Sequence, residues 1–118
     1  SIASSLNLLD CVASPIGHLR EIARCLRGSG FGIVASPYDW SAAATPVEAW
    51  LGGHSQRGEG RGSSERLVRD LLTPGAHPAA VEGVRILAEL PQAAWQVRLH
   101  ERAFMQYRSD LLVVEKTH

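Results

Sequence analysis

Pro37 sets the tightest limit on how this chain can fold. It closes the apolar run Ile33-Val-Ala-Ser36, and a proline lacks the ladder donor that a central strand needs. A strand ending there leaves Tyr38, Asp39 and Trp40 clustered just past its carboxyl end. In open α/β sheets, ligands bind in the crevice outside the carboxyl ends of the strands. The three residues are therefore candidates to line a site. An aromatic wall beside a carboxylate suits a small amine or imidazole, with Asp39 orienting or deprotonating the nitrogen. The alternative for Trp40 and Trp50 is packing in a core or lid, and Trp50 is assigned to packing.

The clearest helix precedes that strand. Ser14 is a good N-cap and Pro15 suits the first helical position. Ile16, Leu19, Ile22, Ala23 and Leu26 then recur on one helical face. Arg24 and Arg27 fall in the last turn, and Gly28 is expected to supply a left-handed stop. Gly30 to Ala35 follows as a short strand whose composition suits burial on both faces. Helix, tight turn and strand make half of a right-handed crossover, so an earlier strand ends at or before Leu6 and residues 1–5 are its remnant.

Further along, short helical turns are expected at 42–44 and 47–51, and a glycine-rich surface loop over 52–62. Ser63 or Ser64 caps a helix with Leu67, Val68, Leu71 and Leu72 on one face, stopped by Thr73-Pro74-Gly75. Strands are expected at Val84–Leu90, at the alternating stretch Trp95–His100 and at Leu111–Glu115. Successive strands at the end of an α/β chain form an antiparallel hairpin. The expected fold is thus α/β in three layers, with residues 30–36 an interior strand.

Composition excludes several classes of function. Twelve basic and twelve acidic residues cancel, so there is no electrostatic footprint for nucleic acid or an anionic membrane. No apolar run is long enough for a membrane-spanning helix. Cys11 and Cys25 form no Cys-x-x-Cys pair, which reads as reduced thiols in a cytoplasmic protein. No histidine among His18, His54, His77 and His118 has a partner at ligand spacing, so no metal site is expected.

The wording around Pro37 also resembles a known family. A strand ending in Ser36-Pro-Tyr-Asp-Trp40, followed by Thr45-Pro-Val-Glu-Ala-Trp-Leu-Gly-Gly53, is similar to the methyltransferase domain of mercaptohistidine (ovothiol-type) N-methyltransferases. Those enzymes are Rossmann-like and depend on S-adenosylmethionine. The resemblance starts at Leu6-Asn-Leu-Leu-Asp-Cys-Val12, which looks like the end of the fourth strand and its loop, and runs to the C-terminus. It implies a partial Rossmann-like fold, from a remnant of the fourth strand to the seventh. Parallel strands would be followed by the antiparallel hairpin of strands six and seven. The glycine-rich cofactor turn of the first strand and the acidic residue ending the second have no counterpart here. The resemblance therefore implies the C-terminal half of a methyltransferase domain.

What it implies for the site follows residue by residue. Asn7, Leu8, Asp10 and Cys11 would lie beneath the methionine end of S-adenosylmethionine, although Asn7 and Asp10 also read as turn formers. Asp39 and Tyr38 would be catalytic and Trp40 would contact the substrate. Arg98 and His100, which share a strand face, would reach the substrate cleft or else form a solvated face. Gly58-Glu-Gly-Arg-Gly62 mimics a nucleotide loop but neither follows a strand at once nor opens a helix. The expected activity is methyl transfer to a small-molecule nitrogen or sulfur nucleophile by the full-length parent. The alternative is a non-catalytic module that forms a homo-oligomer through its exposed sheet edge.

Overall fold

The computed structural model describes residues 1–52 and 64–117. His54, Ser63, His118, residues 53–62 of the glycine-rich stretch and the Gly58–Gly62 pattern lie outside the described residues. Four strands and two helices alternate along the chain: β1 (Ile2–Leu6), α1 (Pro15–Cys25), β2 (Phe31–Ser36), α2 (Ser64–Leu71), β3 (Val84–His100) and β4 (Ala103–Lys116). Short 3₁₀ turns occur at Leu9–Cys11 and Val47–Ala49. The strands form one mixed sheet in the order β1-β2-β4-β3. β1 and β2 are parallel, and β4 lies antiparallel between β2 and β3.

Helix α1 forms where its cap lies. The Ser14 Oγ accepts the Gly17 N–H at 3.2 Å and Pro15 occupies the first turn. Leu19 and Ala23 are buried, with Ile16 and Ile22 packed beside them. Gly28 does not end this helix in a left-handed conformation. The chain turns extended at Leu26, and Ser29 takes the positive φ of 64°. A turn closed by the Gly30 N–H to the Arg27 carbonyl (2.8 Å) follows. It demands glycine at position 30, because a Cβ there would strike Ser1 Oγ and lie 2.9 Å from the Arg27 oxygen.

Strand β2 is interior, as its composition implies, and is buried on both faces only in its second half. Gly32, Val34 and Ser36 face inward; on the other face Phe31 is 43% exposed and Ile33 half-buried, while Ala35 is buried. Both helices lie on the inner side. A Cβ on Gly32 would touch Ile22 of α1 and Leu26 just past its end, and Val68 and Leu71 of α2 share one core with Val34, Leu112 and Val114. The described residues therefore build two layers rather than three. On the outer side the sheet leaves apolar residues uncovered, including Ile2 at 76% and Leu6 at 56% exposure.

The C-terminal third is one long hairpin. β3 and β4 pair from Val84↔Lys116 to His100↔Ala103, with irregularities at Ile86/Ala88, Leu90/Ala93 and Arg98/His100. Pro91 is tolerated because β3 is an edge strand and the proline sits in one of these irregularities. β2 pairs only with residues 110–115 of β4. The remaining part of the hairpin projects past the sheet as a two-stranded ribbon. Among the described residues, no helix is long and apolar enough to cross a membrane.

Candidate functional site

The parallel pair β1 and β2 ends at one rim of the sheet, and the chain leaving each strand turns into the same place. After Leu6, Asn7 takes a left-handed φ of 58° while its N–H continues the ladder to the Ala35 carbonyl at 2.7 Å. The 3₁₀ turn then buries Asp10, which is 3% exposed. After Ser36, Pro37 ends the strand and Tyr38 adopts φ 55°. Asn7, Asp10, Cys11, Pro37 and Asp39 thus line a cleft of about 120 Å³, closed on another side by Trp95 and Tyr107 of the hairpin.

Asp10 ties the floor together. One carboxylate oxygen accepts the backbone N–H of Asp39 at 2.7 Å and the other accepts the Cys11 S–H at 3.3 Å. The Thr45 hydroxyl donates to the Val12 carbonyl at 2.5 Å and reaches that of Asp10 at 3.4 Å, pinning the turn from below. The Cys11 hydrogen bond to the Asp10 carboxylate, with desolvation and the charges of Asp10 and Asp39, pushes the Cys11 thiol above its ordinary pKa. The thiol is therefore held protonated and is a poor nucleophile at neutral pH.

The hairpin wall is fixed to the same floor. Trp95 and Tyr107 are cross-strand partners whose rings stack at 4.4 Å with an interplanar angle of 17°. The Trp95 indole donates to Ser109 Oγ and Ser109 donates to Asn7 Oδ1, both at 2.8 Å. Desolvation pushes the Tyr107 phenol upward, and the Asp39 carboxylate adds to it by charge and hydrogen bonding, with Asp10 and Cys11 contributing.

Of the residues expected from sequence, Asn7, Asp10, Cys11 and Asp39 converge here; the others do not. Leu8 is half-exposed and does not line the cleft. Tyr38 and Trp40 turn away from it and stack at 6.5 Å, with Trp50 next in line at 6.4 Å from Trp40. The Trp40 indole donates to Ser64 Oγ at 2.8 Å, so this column packs the loop against α2. Burial raises the Tyr38 phenol far above its ordinary range, with the charges of Asp110 and Glu65 adding to the effect. Arg98 and His100 are exposed near the far end of the ribbon, where His100 Nδ1 accepts the Arg102 N–H at 3.2 Å. His18 is engaged with Ser5 Oγ at 2.7 Å. Among the described residues, no group of three His, Cys, Asp or Glu side chains converges to hold a metal ion.

Trp95 and Tyr107 are the site residues that sequence reasoning missed. A regular hairpin turning at Glu101–Arg102 would set Trp95 opposite Arg108; the irregularity at Arg98/His100 brings Tyr107 opposite it instead, so the pair had no simple signal in the sequence. No protein-family model matches the chain, and no curated protein matches it.

Proposed function

We propose that this chain carries the acceptor side of an S-adenosylmethionine-dependent methyl transfer to a small nitrogen or sulfur nucleophile. The observation that carries the reading is the convergence of Asn7, Asp10, Cys11 and Asp39 outside the carboxyl ends of two parallel strands. The sheet order, a parallel pair followed by an antiparallel hairpin, agrees with a Rossmann-like fragment running from the fourth strand to the seventh. Methyl transfer asks mainly for in-line alignment of nucleophile, methyl and sulfur. A cleft with a fixed carboxylate and a protonated, unreactive thiol serves alignment better than covalent catalysis. Asp39 orients the acceptor and takes its proton; the packed Tyr38 supports the strand end instead. Both cysteines are free, in keeping with a cytoplasmic setting.

Two measurements test this. Calorimetry of residues 1–118 with S-adenosylmethionine should give weak binding, since most of the aligned contacts to the cofactor belong to the glycine-rich half. Tight binding would misplace the site. In a longer chain that restores that half, Asp39→Ala should lower turnover by roughly 100-fold with cofactor affinity nearly unchanged. Full activity in that variant would end the assignment.

A second reading has its own observation. β1 is an edge strand without proline or charge, and Ile2 and Leu6 are exposed on it. Such an edge invites pairing with a second copy.

A further inference from the structure

The cleft has a chemical bias that methyl transfer alone does not demand. Two carboxylates line it, and among the described residues no lysine, arginine or histidine does. Asp10 is committed inward, each of its oxygens already accepting a hydrogen bond. Asp39 is exposed and, among the described residues, no basic side chain is paired with it; the Tyr107 phenol is its hydrogen-bonding neighbour. On the facing side, the Trp95 N–H is engaged by Ser109, so the indole lines the cleft as an aromatic ring without a free donor. A site that is negative and aromatic favours a cation bearing methyl or methylene groups. Size narrows the choice. At about 120 Å³ the cleft falls well below the roughly 300–1,000 Å³ of pockets that enclose whole ligands, so it takes a head group.

We infer that this cleft is an onium subsite, holding a sulfonium or ammonium head group between the Asp39 carboxylate and the Trp95–Tyr107 ring pair. The inference deepens the methyl-transfer reading and rests on it. The sulfonium of the cofactor and an ammonium group of the acceptor share this chemistry. The Cys11 thiol is raised chiefly by its hydrogen bond to Asp10 and the Tyr107 phenol chiefly by desolvation, and the charges of Asp10 and Asp39 add to both.

The test uses residues 1–118 and the indole N–H signal of Trp95 in nuclear magnetic resonance, assigned by its loss in Trp95→Phe. The chain is titrated with trimethylsulfonium, tetramethylammonium, methylammonium and the neutral, similarly shaped 2,2-dimethylpropan-1-ol. Both methylated onium ions should shift the signal saturably, with a preference over the alcohol on the order of fivefold. Asp39→Asn should abolish the preference, and Glu101→Gln, which removes the same charge at the hairpin turn, should keep it. Stronger binding of trimethylsulfonium than of methylammonium assigns the subsite to the cofactor, and the reverse order to the acceptor. Equal shifts by alcohol and onium ions, or a preference that survives Asp39→Asn, would overturn the inference whatever the longer protein catalyses. Onium selectivity here, with no methyl transfer by the longer protein, would overturn only the reaction.

Discussion

Removing the Asp10 carboxylate would leave the Asp39 N–H without its acceptor and the cleft floor without its tie. A hydrogen bond to a charged group is worth about 1.5–3 kcal/mol, so Asp10→Ala should destabilise the chain by that amount in urea unfolding. Asp10→Asn keeps an acceptor and should cost less. The same pair of variants reads out Cys11. Its pKa is raised in the folded chain, chiefly by its hydrogen bond to Asp10, and a raised pKa means less thiolate at any pH below it. Alkylation of Cys11 at neutral pH should therefore be faster in Asp10→Asn than in the parent. The difference should vanish in strongly alkaline solution, where both thiols are ionised. An unchanged rate at neutral pH would show that Asp10 does not control the thiol. At this scale the sequence was legible only in part. Asp39 was legible from its place just past the strand end that Pro37 marks, whereas Asn7, Asp10 and Cys11 were reached only through the family resemblance, which brought the half-exposed Leu8 with them. Tyr38 was placed beside Asp39, but its ring stacks on Trp40 outside the cleft that Asp39 lines.

Helix α1 was readable because its start is local. Serine, proline and an apolar face at helical spacing need no distant partner to be recognised. Ser14→Ala should cost about 1 kcal/mol, through loss of the Gly17 cap. Leu19→Ala, at 1% exposure, should cost about 2–5 kcal/mol. Comparable losses for the two variants would mean that the helix is held by its cap rather than by its buried face. The hairpin was legible only in pieces. Irregularities in its pairing break the alternation of apolar and polar residues, and Pro91 reads locally as a strand end. Only the position of β3 at the sheet margin makes that proline harmless, and margin is a tertiary fact.

For the molecule as a whole, the uncovered outer face and the free β1 edge argue for self-association. Sedimentation at micromolar concentration should show a dimer or larger species, and Ser4→Lys should shift it towards monomer by placing a charge on the edge. A parent chain that stays monomeric would dismiss pairing through β1. The number of layers was not legible in the sequence, because a run such as Phe31–Ser36 looks the same whether its second face is covered or not. The radius of gyration, 14.5 Å, exceeds the about 13.5 Å of a compact domain of this length, as the projecting ribbon requires. That ribbon behaves as a cantilever. It is clamped where β4 meets β2 at Asp110, and two strands alone resist bending weakly. Trp95 and Tyr107 sit near the clamp and Phe104 near the free end, so a small rotation at the root sweeps the tip widely while hardly moving the rings. In that geometry a displacement applied at Phe104 would reach the ring pair only in the reduced proportion that its distance from the clamp sets.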